Sequence, residues 1–242
     1  MIDIKKIVTL DIEGDSLKKE INQKLFPTGC HFDPGTRIWC ATLTTRINGQ
    51  IRTTTLTTKL NGTRAIYVNS RMVGMTTAEH YESTVIPTEI DTVFGHHKIT
   101  TYKDEMDLFT NLIRNLMMLG DKYEIWIKGY NGYKYDYIAI MNAMKRLWPV
   151  TDMNKVINFM NDVVGIKFRD AAAEFPKLQV NWPGTTEQVQ IGDFKDNQTY
   201  MNTGIIHNIE DSYQLFTMVE RYAKEANAEE RMKGDFWWIY TK

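Results

Sequence analysis

Near the N-terminus, residues 8–14 read Val-Thr-Leu-Asp-Ile-Glu-Gly, an apolar run that carries two carboxylates one residue apart and stops at a glycine. On a strand successive side chains alternate faces, so Val8, Leu10 and Ile12 share one face while Asp11 and Glu13 share the other. Residues 15–34 are polar and punctuated by Pro27, Gly29 and Pro34, which predicts a loop with a short helical possibility at 17–25. Threonine-rich, β-branched runs at 38–47 and 50–58 flank Asn48-Gly49, the preferred pair for a two-residue type I′ turn, and predict a hairpin. Residues 59–101 show one short strand, 65–68, and otherwise no sustained period, so they are expected to be an insertion.

A helical period returns at 104–119, where Met106, Phe109, Leu112, Ile113 and Leu116 recur behind an acidic first turn, with Gly120 where a C-cap belongs. A short apolar strand at 123–128 runs into Gly129-Tyr130-Asn131-Gly132 and then a second helix at 135–147. Further along, the pattern suggests a helix at 153–161, a strand at 163–168, a loop-rich stretch at 180–202 and a last long helix at 205–226. Strands that alternate with helices after an antiparallel start predict an α/β fold, a mixed sheet with helices on its faces. The chain is expected to form a single domain, 1–242, with insertions at about 59–101 and 176–202 and an aromatic tail at 227–242.

Composition narrows this little. With 43% hydrophobic and 24% charged residues the chain is an ordinary globule, and a net charge of -1 supplies no global basic field for nucleic acid. Such a partner would have to be held by a local patch or through metal ions. Cys30 and Cys40 lack CxxC spacing and no charged-then-apolar leader precedes the first strand, so a reduced cytoplasmic setting is expected. No apolar run approaches the roughly 18 residues of a membrane span, and no membrane partner is expected.

Three clusters carry candidate chemistry. Asp11 and Glu13 can be solvated carboxylates at a sheet edge, but the apolar Ile7, Val8, Leu10 and Ile12 argue for a central strand, where an acidic pair calls for a partner. Asp136, after the glycine loop, either contributes to a site or merely suits a helix N-terminus, with the neighbouring tyrosines in the core. His207 and Asp211, four apart, share one helical face about 5 to 6 Å apart at Cβ, although a lone helical histidine is more often structural.

Together these clusters resemble the DnaQ-like (DEDD) 3′→5′ exonucleases of the RNase H-like superfamily. Asp11-Ile12-Glu13 resembles their first motif, and Tyr130-Asn131-Gly132-Tyr133-Lys134-Tyr135-Asp136 is similar to the second as it stands in proofreading domains of phage-type DNA polymerases, with Tyr130 in place of a histidine. His207-Asn208-Ile209-Glu210-Asp211 resembles the third, in matching order, and the likeness covers roughly residues 5–225. One departure stands out. Histidine-type members place the aspartate five residues on, tyrosine-type members four; here a histidine takes the shorter spacing, and position 212 is a serine. Asp211 is therefore the expected ligand, with Glu210 the weaker candidate.

The resemblance implies an RNase H-like mixed five-stranded sheet with an antiparallel N-terminal hairpin and flanking helices. It also implies two divalent cations, Mg²⁺ or Mn²⁺, held by Asp11, Glu13, Asp136 and Asp211, with His207 as general base. The implied substrate is nucleic acid with a free 3′ end, single-stranded DNA foremost, and a polymerase or other replication protein is a possible partner. A free-standing nuclease is expected, since no polymerase domain fits after residue 225. Alternatives are an RNA exonuclease on the same fold, an RNase H-like endonuclease, and a catalytically silent nucleic-acid-binding or partner-docking module.

Substrate contacts are expected from Asn131, Tyr133, Lys134 and Tyr135 and from Thr42 and Leu43, with Lys128, Lys167 and Arg169 as further phosphate contacts or as plain surface charges. Trp39 is expected in the core, and Asp170 is expected to be structural. His96-His97 reads as a surface loop without a third ligand, and His31 and His80 show no partner in the sequence. The aromatic residues at 235–240 either pack back on the domain or dock a partner.

Overall fold

Alternation at the first strand survives folding. In the computed structural model β1 (Ile7–Gly14) buries Val8, Leu10 and Ile12 completely or nearly so, while Asp11 and Glu13 are half-buried on the opposite side. The structure describes residues 1–15, 24, 35–68, 70–76, 84–119, 123–128, 135–148, 168–178, 182 and 197–240. β1 pairs antiparallel with β2 (Ile38–Ile47), which turns through Asn48-Gly49 into β3 (Gln50–Thr58). Both turn residues have positive φ, 50° and 81°, as a type I′ turn demands, so the hairpin follows from two residues of turn chemistry.

Between 59 and 101 the chain makes more structure than its weak period predicts. β4 (Ala65–Val68) is joined by β5 (Arg71–Met75) in a separate two-stranded sheet, and β6 (Glu89–Thr92) pairs with β7 (Gly95–Tyr102). β7 then lies parallel to β3, so the main sheet has seven strands in the order β6-β7-β3-β2-β1-β8-β9. The two histidines thus lie on a strand rather than in a surface loop. His97 faces inward, and its two ring nitrogens meet the Thr53 and Thr92 hydroxyls at 2.7 and 2.9 Å. A polar residue satisfied in an inward position erases the hydrophobic alternation by which a strand is recognised.

α1 (Glu105–Leu119) is capped by Asp104, whose carboxylate accepts the Asp107 N–H, and it buries Leu108, Phe109, Leu112, Ile113 and Leu116. Met106, expected on that face, is instead exposed. β8 (Glu124–Ile127) enters parallel to β1, and α2 (Tyr135–Leu147) follows with the predicted bounds. β9 (Phe168–Asp170) extends the parallel half beside β8 and leads into the one-turn α3 (Ala171–Glu174), capped by the Asp170 carboxylate. The structural role expected of Asp170 is that cap. The predicted helix at 153–161 and residues 163–167 of the predicted strand lie outside the described residues, as does the possible helix at 17–25 apart from Lys24.

The last helix, α4 (Asn197–Tyr240), is longer than the predicted 205–226 at both ends. Its first turns, expected as loop, are polar in sequence but bury Tyr200 and Met201. Gly204 then lets the helix press on Trp39, since a Cβ there would meet the indole at 2.8 Å. That contact confirms Trp39 as a core residue. Residues 227–240, expected as a tail, continue the helix, and the Asn227 side chain bonds both the N–H and the carbonyl of Ile2.

The helices sandwich the sheet. α1 and α2 cover the Val8, Leu10 and Ile12 face, and α4 covers the face that carries Ile7, Thr9 and the two carboxylates. No described helix is long and apolar enough to cross a membrane.

Candidate functional site

The carboxylates gather where three elements end or cross. β1 and β8 stay in register only as far as Thr9 and Trp126, so β1 runs on past its parallel partner and the Ile12 N–H is left for another acceptor. Asp136, in the first turn of α2, takes it at 3.0 Å through Oδ1. A buried backbone donor freed by the end of a strand thereby fixes the start of α2 against β1. On the other edge the pairing with β2 shifts between Glu13 and Gly14, a bulge of the kind that re-aims a side chain next to a site.

α4 supplies the third side. Residues 207, 208, 211 and 212 follow helical spacing along the face packed on the sheet. Ser212 is fully buried and sews the helix down. Its hydroxyl meets Thr44 Oγ1 at 2.9 Å and donates to the Thr42 carbonyl at 3.2 Å, while Thr9 Oγ1 donates to the Ser212 carbonyl at 2.8 Å. Asn208, also fully buried, donates to Asp11 Oδ2 at 2.6 Å and accepts from the Cys40 thiol at 3.4 Å. Asp211 Oδ2 accepts from the Lys128 ammonium at 3.3 Å and lies 3.8 Å from His207 Nε2, too far for a hydrogen bond to the imidazole. Glu210 points elsewhere, accepting the Val93 N–H at 3.3 Å.

Three aspartates thus each commit one oxygen to a protein donor: Asp11 to Asn208, Asp136 to Ile12 and Asp211 to Lys128. The other oxygen of Asp211 is buried and has no hydrogen-bond partner among the described residues. An orphaned carboxylate oxygen costs free energy unless a cation or water meets it.

Like charges crowd this space. Burial, then the charges of Asp136, Asp211 and Glu13, hold the Asp11 carboxyl well above its ordinary range. Burial lifts Glu13 from an ordinary 4.5 to about 8, with Asp211 and Asp136 pushing the same way. Asp136 rises from 3.8 to about 7 by burial, against the stabilising Ile12 N–H. Lys128 opposes all three rises. The Cys40 thiol is driven up by burial and by Glu13 and Asp11, which leaves it an inert core group.

Among the described residues no three His, Cys, Asp or Glu side chains are drawn together around a single ion position. The donor set nevertheless fits hard divalent cations, because it consists of oxygens, carries excess negative charge and includes an orphaned buried carboxylate oxygen.

Some expected contacts are not offered. Thr42 is fully buried, with its hydroxyl 3.1 Å from that of Thr55, and Leu43 packs in the core under α1 and α2, so neither reaches a terminal base. Arg169 is committed to Glu124 and Glu174, both at 2.8 Å, and stacks over Trp126, which removes it from the phosphate contacts. Asn131, Tyr133, Lys134, Lys167, Cys30, His31 and His80 lie outside the described residues, as does the Tyr135 side chain. The aromatic side chains at 235–240 are likewise outside them.

Asn208 has no signal in the sequence beyond lying three residues before Asp211 and so on the same helical face. The Lys128 ion pair spans 83 positions and has no local signal. The chain matches no protein-family model, and no curated protein matches it.

Proposed function

We propose that this chain is a metal-dependent 3′→5′ exonuclease of the DnaQ-like kind, acting on single-stranded DNA. The observation that carries the reading is the set of contacts at the polar end of β1, where Asn208 of α4 holds Asp11, the Ile12 N–H holds Asp136 and Lys128 holds Asp211, with Glu13 on the strand face of Asp11 and His207 3.8 Å from Asp211. Their order along the chain matches the three motifs. The five adjacent strands β3-β2-β1-β8-β9, an antiparallel hairpin beside a parallel half, support an RNase H-like core, with β6 and β7 as an addition at one edge.

Asp11, Glu13 and Asp211 would hold one divalent cation, and Asp136 with Asp11 a second. Bound there, Mg²⁺ or Mn²⁺ supplies Lewis-acid stabilisation of charge on the attacking and leaving oxygens of an in-line displacement at phosphorus. The protein's own residues do the rest. Asn208 and Lys128 hold Asp11 and Asp211 in fixed orientation, and the Ile12 N–H does the same for Asp136. His207 Nε2 takes the proton of the attacking water as general base. The water oxygen forms the new bond to phosphorus as the P–O3′ bond breaks; the 3′ oxygen leaves with the shortened strand and takes a proton from solvent, and a nucleoside 5′-monophosphate departs.

Oligonucleotides of DNA and RNA, labelled at either end and incubated with Mn²⁺ or with a chelator, test the reading. The expected result is cation-dependent loss of the 3′ label as mononucleotide, with the 5′ label moving down a ladder, faster on DNA. Cleavage of RNA alone would reassign the substrate, and cleavage of a circular strand would make the chain an endonuclease. Oligonucleotides that are bound yet left intact would make it a silent binding module.

A further inference from the structure

Lys128 follows the last residue of β8, at the rim of the carboxylate cluster, and is held from several sides. Its carbonyl accepts the Ala172 N–H at 3.2 Å, its ammonium lies 3.7 Å from the centroid of the Trp182 ring, and the same ammonium donates to Asp211 Oδ2 at 3.3 Å. Its side chain is 26% exposed and that of Asp211 8%, so the pair is shielded from bulk water. An exposed lysine free to sweep for phosphates would not be fixed by a strand end, an aromatic face and a carboxylate together.

The consequence for Asp211 is asymmetric. One oxygen is engaged by the ammonium, and the other is buried without a partner among the described residues. A carboxylate in that state offers a cation a single oxygen, in one direction. A fixed unit positive charge beside the cluster also repels incoming dications.

We infer that Lys128 is a positioning residue that makes Asp211 a one-oxygen ligand and, as a built-in counter-ion, weakens the site's hold on divalent cations in exchange for a fixed ligand geometry. The inference rests on the exonuclease reading. It separates two quantities that a merely structural ion pair would leave unchanged or lower together. Removing the charge while keeping the aliphatic stem over Trp182 should tighten cation binding and slow turnover.

The test uses the full chain stripped of metal, as wild type, Lys128→Met, Lys128→Gln and Lys128→Arg. Each is titrated with Mn²⁺ in a calorimeter and assayed on 3′-labelled single-stranded DNA at saturating Mn²⁺. Lys128→Met should bind Mn²⁺ about tenfold more tightly, the size expected for removing one unit charge several ångströms from a dication at water-like screening. It should turn over about 10 to 100-fold more slowly, as losses of groups that orient ligands do. Lys128→Gln should follow it and serves if the methionine variant fails to fold, and Lys128→Arg should return both quantities toward wild type. Weaker or unchanged Mn²⁺ binding in the neutral variants, or an unchanged rate, overturns the inference while leaving the exonuclease reading standing. A wild type that neither binds Mn²⁺ nor cleaves overturns both.

Discussion

The two faces of β1 are built from the same eight residues and solve opposite problems. On one side Val8, Leu10 and Ile12 pack against α1 and α2 in a wholly apolar cluster, where burial itself supplies the stability. On the other side, polarity rises along the strand beneath α4. Ile7 packs among Phe216 and Val219, Thr9 bonds the Ser212 carbonyl, Asp11 bonds Asn208, and Glu13 has its carboxyl raised to about 8. The first face can be judged by what it excludes, the second by what it leaves unbalanced. A fold that spends its apolar face on stability can carry an electrostatic imbalance on the other, and that imbalance is what a cation-binding site requires.

Substitutions on the two faces should have opposite consequences. Asp11→Ala should abolish hydrolysis of labelled DNA while the melting temperature of the metal-free protein holds or rises, because a half-buried carboxyl crowded by Asp136, Asp211 and Glu13 is removed. A variant that still cleaves would remove β1 from the site. His207→Ala should keep the fold and lower the cleavage rate by about 10² to 10⁴-fold, the range for loss of a general base. An unaffected rate would return His207 to a structural role.

Leu10→Ala, on the apolar face, should cost about 2 to 5 kcal/mol of unfolding free energy by denaturant titration, and leave the specific activity of the folded fraction near wild type. Loss of activity without loss of stability would show that the two faces are not separable.

A smaller effect comes from pH. Between its ordinary 4.5 and about 8, Glu13 keeps in the folded state a proton that the unfolded chain has lost, and Asp136 does so between 3.8 and about 7. The folded state therefore binds more protons in this window, and stability must fall as pH rises through it. Melting curves of metal-free protein should drop from pH 5 to pH 8, with Glu13→Gln flattening the slope and Leu10→Ala leaving it unchanged. Added Mn²⁺, which needs ionised carboxylates, should stabilise most at the alkaline end.

What could be read from the sequence follows the same division. Where one face is apolar the period is legible, as in β1, α1 and α2, and the hairpin is legible from Asn48-Gly49 and its β-branched flanks; all lie close to their predicted bounds. β7 escapes the period because His97 occupies an inward position as a satisfied polar group, and the start of α4 because its first turns are polar although Gly204 lets the helix approach Trp39 closely. The carboxylates were visible by residue type and order. Their supports were not, since the Asn208 and Lys128 contacts join positions 197 and 83 residues apart and depend on how the sheet and helix meet. Thr42 and Leu43 differ in kind: Leu43 faces the apolar layer under α1 and α2, whereas Thr42 lies opposite Asp11 but is fully buried with its hydroxyl against that of Thr55, a covering that no local pattern shows.

A crystal soaked in Mn²⁺, with its anomalous difference map, tests the central claim most directly. Two peaks are expected about 3.5 to 4 Å apart at the polar end of β1, the nearer contacts made by Asp11, Glu13 and Asp211 Oδ1, and Asp136 serving the second. A map with no peak there, or with manganese only at the exposed Glu89, Asp91 and His96 group on the β6–β7 hairpin, would contradict it.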